Sequence, residues 1–167
     1  MGVLRPWTGR EISFTLYITP GWSESLENPW DFPRDCGIMS IATQTTILIV
    51  DDDHQFRETL MDAMSLKGAQ VEGVANGKDA LAALEGPLPS LIILDVQLPD
   101  THGFELCRAL RHSPRTQDIP VILLSGRYTE AADRAEGLLT GAAAYLSKPV
   151  SPETLWEEVS YLLDRRG

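Results

Sequence analysis

Four places in this 167-residue chain set a polar or charged side chain at the end of an apolar run. Asp51-Asp52-Asp53 follow Ile47-Leu48-Ile49-Val50, Asp95 follows Leu91-Ile92-Ile93-Leu94, Ser125 follows Val121-Ile122-Leu123-Leu124, and Lys148-Pro149 come just after Tyr145-Leu146. Carboxylates gathered in one pocket repel each other, and a cation is the usual relief. With no His or Cys among them, an all-oxygen acidic set suits a hard ion such as Mg2+, which keeps waters and takes one or two carboxylates plus phosphate. Alone, Asp51 to Asp53 would read rather as the cap of a helix N-terminus, where the macrodipole favours acids. The presence of Asp95, Ser125 and Lys148 at three other strand ends favours a shared site.

The elements that must position these groups follow from periodicity. Residues 46–50 form a continuous apolar run, as in a strand buried on both faces. Residues 54–67 carry Phe56, Leu60, Met61 and Met64 at helical spacing and stop at Lys67-Gly68. A short strand over 71–74 and a short helix over 77–84 come next, followed by a second apolar strand over 91–94. Phe104, Leu106, Cys107 and Leu110 make a third helix, 121–124 another apolar strand, and about 129–139 a fourth helix. The fifth strand covers 143–146. The last helix opens at Ser151-Pro152-Glu153, a cap followed by proline at the first helical position, and runs to about residue 164. Five strands alternating with five helices imply right-handed crossovers and a doubly wound α/β fold, a five-stranded parallel sheet with five flanking helices. Such sheets gather functional groups beyond the carboxyl ends of the strands. That is where all four polar positions fall.

Composition narrows the functions further. A net charge of −10 disfavours nonspecific binding to nucleic acid, whose phosphates it would repel. There is no apolar run of membrane-spanning length and no secretory leader pattern, which gives a cytoplasmic expectation. Cys36 and Cys107 form neither a disulfide framework nor a metal-ligand spacing. His54 and His112 each stand alone and read as solvated histidines at helix ends. Residues 1–44 differ in character: Pro6, Pro20, Pro29 and Pro33 and three tryptophans, with no sustained period. They are expected to be an irregular N-terminal extension or sequence upstream of a true start at Met39, with residues 1–38 removable because little of them could be buried. A partner-binding arm using Trp7, Trp22 and Trp30 is the alternative. Residues 45–167 form the domain. Neither the dinucleotide pattern G-x-G-x-x-G nor the nucleotide-binding G-x-x-x-x-G-K-[ST] occurs, and an Asp triplet after the first strand would repel a flavin phosphate.

Taken in order, these segments resemble response-regulator receiver domains over about residues 46–165. Ile47 to Asp53 is similar to their first strand and acidic pair, and Leu91 to Asp100 to their phosphoacceptor strand and loop. Val121 to Gly126 resembles the strand that ends in the switch hydroxyl, and Tyr145-Leu146-Ser147-Lys148-Pro149 the aromatic-x-x-Lys-Pro signature. The resemblance implies a flavodoxin-like strand order of 2-1-3-4-5 and a role for each residue. Asp95 would be the nucleophile that takes a phosphoryl group from a phosphohistidine. Asp52 would bind Mg2+ (or Mn2+) directly, Asp51 through a water, and Asp95 and the backbone carbonyl of Gln97 would complete the protein ligands. Lys148 would pair with Asp95 and then with the phosphoryl group, across a cis Lys148-Pro149 bond. Ser125 would hydrogen-bond the phosphoryl group, with Gly126 leaving room beside it, and Ser125 with Tyr145 would form the switch. Departures from the family pattern are His102 before Gly103, where an acid is common, and Ser125 in place of the commoner Thr. Gln97 and Arg127 flank the site at positions that tune dephosphorylation in the family.

The implied function is a signalling switch, not an enzyme with a separate substrate: it would catalyse only its own phosphorylation and dephosphorylation. Its partners would be a sensor histidine kinase or histidine phosphotransfer protein and a downstream protein target or detached output domain. Neither nucleic acid nor a membrane would be bound directly. The binding face would combine the fourth helix, fifth strand and fifth helix, near Arg127, Arg134, Tyr145 and Trp156. Two other readings compete: a receiver-like binding module that needs no phosphorylation, and a metal-dependent phosphohydrolase, for which no cap insertion is evident. The chain ends soon after the fifth helix, so a stand-alone receiver or a fragment of a longer regulator is expected.

Overall fold

The computed structural model describes residues 45–127 and 131–165. The apolar runs are strands β1 (Thr46–Val50), β2 (Gln70–Val74), β3 (Leu91–Asp95), β4 (Val121–Ser125) and β5 (Ala144–Ser147). Between and after them come α1 (His54–Leu66), α2 (Gly77–Ala83), α3 (Gly103–His112), α4 (Ala131–Leu139) and α5 (Pro152–Asp164). All strand pairs are parallel, in the order β2-β1-β3-β4-β5, so the expected doubly wound topology is what forms. The expectations for residues 1–44 lie outside the described residues.

The unbroken apolar strands follow from having a helical layer on each face. Alternate residues of a strand point to opposite sides. Ile47 and Ile49 therefore pack with Leu60 and Met64 of α1 and Leu155 and Val159 of α5. Leu48 and Val50 pack on the other face with Ala80 of α2 and Phe104 and Leu110 of α3. β1, β3 and β4 have no polar face because neither side meets water. Burying each such side chain contributes about 1.5–3 kcal/mol.

Local chemistry sets where each helix begins and ends. Asp53 caps α1, its carboxylate accepting from the Phe56 N–H at 3.1 Å. Asn76 caps α2 and Ser151 caps α5, with Pro152 in the first turn as expected. Past α1, Gly68 takes φ +92°, donating to the Ser65 carbonyl while Ala69 donates to Met64. This paired closure of the last turn needs the left-handed conformation that glycine adopts without strain.

The loop after β3 is tied down at both ends. Gly103 N–H donates to the Val96 carbonyl at 2.8 Å, and a Cβ on Gly103 would collide with the Asp95 carbonyl oxygen. Only glycine lets α3 start this close to the strand that carries Asp95. Both oxygens of Asp100 accept from the N–H groups of Gly77 and Lys78 at 2.9 Å, so this loop residue caps α2 from outside the helix. Tethered in this way, the loop beside Asp95 has a defined course.

Candidate functional site

Asp51 lies one residue past β1, Asp95 is the last residue of β3, Ser125 the last of β4, and Lys148 lies one residue past β5. The parallel register brings these ends to the same edge of the sheet. The Lys148 backbone N–H donates to the Ser125 carbonyl at 2.7 Å, anchoring the lysine to the neighbouring strand. Its ammonium then reaches Asp51 Oδ2 at 2.6 Å and Asp95 Oδ1 at 3.2 Å. Asp51, Asp52 and Asp95 each offer a carboxylate oxygen, and these oxygens all lie within 4.8 Å of one another. The Lys148-Pro149 bond is cis, as the resemblance implies.

The three acids are not equivalent. Asp51 and Asp95 are buried, 1% and 5% exposed, whereas Asp52 faces solvent. Asp51 is also fixed by its neighbours: Oδ1 accepts from the Asp53 N–H at 3.0 Å, and Arg57 donates to its carbonyl at 2.6 Å. Burial pushes the Asp95 carboxyl above its ordinary pKa; Lys148 opposes this, and the charges of Asp51 and Asp52 add to it. Burial alone would pull the Lys148 ammonium down, but the hydrogen bond and charge of Asp51, with those of Asp95, outweigh it and hold its pKa up. An oxygen-only cluster with two buried carboxylates and one open to water fits a hard divalent ion that keeps part of its hydration. One ammonium does not balance three carboxylates.

The structure brings Asp51, Asp52, Asp95 and Lys148 together and puts Ser125, fully buried, at the next strand end. The closer partner of Lys148 is Asp51 rather than Asp95. Asp53, by contrast, spends its side chain on the cap of α1. The Asp triplet therefore serves both purposes its sequence allows, two residues in the cluster and one on the helix. Gln97 lies in the loop two residues beyond Asp95, held by an isolated antiparallel bridge to His102. His102 is the cap of α3, its Nδ1 accepting from the Phe104 N–H at 3.4 Å. Gly126 leaves open space, since a Cβ there would meet nothing closer than Lys148 Cβ at 3.9 Å.

Tyr145 is 5% exposed and joins the core layer on the α3 and α4 side, its ring 6.3 Å from that of Phe104. Leu155 and Val159 of α5 pack on the opposite face of the sheet, as does the partly buried Trp156. The strand alternation decides this: Ala144 and Leu146 face the α5 side, and the residue between them cannot. Two contacts escaped the sequence reading altogether. One is the cap that Asp100 gives α2, the other the Phe56 ring beneath the Lys148 ammonium, 4.5 Å from nitrogen to ring centre. Neither leaves a local pattern, because each joins segments distant in sequence.

Among the described residues no helix is long and apolar enough to cross a membrane. Residues 47–160 match the family model described as the response regulator receiver domain. The chain is 45% identical over 124 residues to the transcriptional regulatory protein GltR of Pseudomonas aeruginosa, covering 74% of this chain and 51% of that protein. It is 40% identical over 114 residues to an uncharacterised 14.6 kDa protein of Leptolyngbya boryana, covering 68% of this chain and 86% of the relative. Among solved structures, the chemotaxis response regulator CheY4 of Vibrio cholerae superposes with a TM-score of 0.67 at 31% identity, covering 71% of this chain and 98% of that one. The chain spans about half the length of GltR and of the PhoB regulators it also matches. With this family match over most of its length, the shared fold and the acidic pocket of Asp51, Asp52 and Asp95 facing Lys148, the chain belongs to the response regulator receiver domains, the phosphoacceptor modules of two-component signalling.

Proposed function

We propose that Asp95 is the phosphoacceptor of this receiver domain. The observation that carries the assignment is the ammonium of Lys148 lying 3.2 Å from a buried Asp95 carboxylate that has two further acids beside it. In the proposed step, an oxygen of Asp95 attacks the phosphorus of a phosphohistidine on a sensor kinase or phosphotransfer protein. The P–N bond breaks, its electron pair returns to the imidazole, and the phosphoryl group stays on Asp95 as an acyl phosphate. Such transfer depends on positioning and charge neutralisation more than on acid–base chemistry. Lys148 supplies a fixed positive charge for the phosphoryl oxygens, and the Ser125 hydroxyl donates a hydrogen bond to one of them. Mg2+, or Mn2+ in its place, held by Asp51, Asp52, Asp95 and the backbone carbonyl of Gln97, would neutralise the remaining charge.

The output of the modification is proposed to be binding at the edge formed by α4, β5 and α5. Tyr145 packs inward, one of the two ring arrangements a switch with Ser125 requires. A downstream protein or an output domain, in cis or detached, would read that edge. The half-length match to GltR and PhoB is compatible with either form. The acidity of the domain favours protein partners in the cytoplasm over nucleic acid or a membrane.

The test is incubation with Mg2+ and a small phosphodonor, with the label mapped by mass spectrometry. Wild-type protein should hold one label at Asp95. Asp95→Asn should hold none, and Asp52→Ala should lose both the labelling and its dependence on the metal. Labelling of Asp95→Asn at the wild-type level would remove Asp95 from the role. Rapid release of phosphate with no label retained would point to hydrolysis of a separate substrate.

A further inference from the structure

We infer that Phe56 is a positioning residue for Lys148: its ring is an aromatic seat that holds the ammonium on the Asp51 side of the pocket and so makes the lysine compete with a divalent cation for that carboxylate. This rests on the reading of the cluster as a phosphoacceptor site. The Lys148 nitrogen lies 4.5 Å from the Phe56 ring centre, within the range where the negative face of an aromatic ring attracts a cation. The same nitrogen is 2.6 Å from Asp51 and 3.2 Å from Asp95, so it sits off-centre between its two carboxylates. Phe56 and Asp51 belong to one segment, running from the end of β1 into the first turn of α1, whereas Asp95 stands on β3. The ring is thus carried by the same segment as the carboxylate that the ammonium lies nearer.

The ring is not free to follow the lysine. The Phe56 N–H is held by the Asp53 cap at 3.1 Å, and its side chain packs against the core layer under α1 and α5. The Lys148 side chain is only 19% exposed, and partial removal from water is the condition under which such a contact gains strength. Asp51, Asp52 and Asp95 would hold a divalent ion, and an ammonium already bonded to Asp51 would compete with it for that carboxylate. Phe56 would add to the hold on the ammonium.

The conservative substitutions separate this role from simple packing. Phe56→Leu keeps apolar bulk and loses the ring face, whereas Phe56→Tyr keeps both. On full-length protein without metal, the Lys148 ε-methylene protons, assigned by their loss in Lys148→Met, should be shifted upfield by the ring in wild type and in Phe56→Tyr. They should return to ordinary lysine positions in Phe56→Leu. Calorimetric titration with MgCl2 should give a Kd about two- to tenfold tighter for Phe56→Leu, the range such a contact supports, and an unchanged Kd for Phe56→Tyr. Unshifted methylene protons in wild type would overturn the inference, as would a Phe56→Leu affinity equal to or weaker than wild type, or tyrosine behaving as leucine does. Labelling of Asp95 in the same samples reports separately on the underlying reading. Labelled wild type with an unaltered Phe56→Leu affinity removes only the role of Phe56; unlabelled wild type with the expected shifts and affinities keeps the lysine seat and removes the phosphoacceptor.

Discussion

Asp95→Asn exchanges one charged oxygen for an amide nitrogen at a position that is 5% exposed. At an effective dielectric constant of about 20, two like charges separated by the 4.8 Å limit of the cluster repel by about 3.5 kcal/mol, and an ammonium at 3.2 Å attracts by about 5 kcal/mol. Asp51 contributes its repulsion in full, while that of solvent-facing Asp52 is reduced by screening. The Coulomb terms on Asp95 thus largely offset each other. What remains is the cost of desolvating the carboxylate, several kcal/mol for a buried ion. Asparagine carries no such cost and leaves Lys148 to its closer partner, Asp51. The variant should be more stable than wild type by about 1–3 kcal/mol at neutral pH without metal, a rise of several degrees in Tm.

The pH dependence supplies the check on cause. Burial raises the Asp95 pKa in the folded state, with Asp51 and Asp52 adding to the rise against Lys148. The folded protein therefore binds a proton there more readily than the unfolded chain does. The penalty is absent below the ordinary carboxylate pKa, grows as pH rises, and is complete above the raised folded value. Urea unfolding of both proteins in EDTA should show the gap widening from pH 4 toward pH 7.5, and Mg2+ should narrow it by stabilising wild type. A less stable Asp95→Asn at pH 7.5 in EDTA would refute the reasoning, and so would a gap that does not change with pH.

Three further outcomes can be measured. A Cβ on Gly137 would press on the Tyr145 ring, 2.5 Å from Cδ2 and 2.8 Å from Cε2. Gly137→Ala should therefore cost about 1–3 kcal/mol through overpacking and displace the ring, seen as altered Tyr145 NMR shifts before any phosphate mimic is added. Asp100 is held below the usual carboxylate range by the backbone N–H groups of Gly77 and then Lys78. Its contribution is present above the ordinary carboxylate pKa and lost as pH falls through the depressed value. Asp100→Asn should accordingly lower the neutral-pH melting temperature, with the difference fading in acid. Beryllofluoride with Mg2+ should shift amides of α4 and β5 as well as those near Asp95; changes confined to the pocket would exclude the α4–β5–α5 edge as the output surface.

The strands and their order of polar endings were legible from residue types because a sheet covered on both faces demands unbroken apolar runs, and the chain shows them at β1, β3 and β4. The helix start at Ser151 was legible for a similar reason: a cap acts within three residues, so its signal is local. Membership of Asp51, Asp95, Ser125 and Lys148 in one site could be inferred because a parallel sheet sends every carboxyl end to one edge. The pairing within that site could not. Whether Lys148 leans to Asp51 or Asp95, whether Phe56 lies under it, and whether Asp100 caps α2 depend on side-chain distances across elements up to 97 residues apart. The direction of Tyr145 lies between the two cases. Strand alternation restricts it to one face once the register of β5 is known, but the register comes from pairing with β4, and only the assembled sheet supplies that.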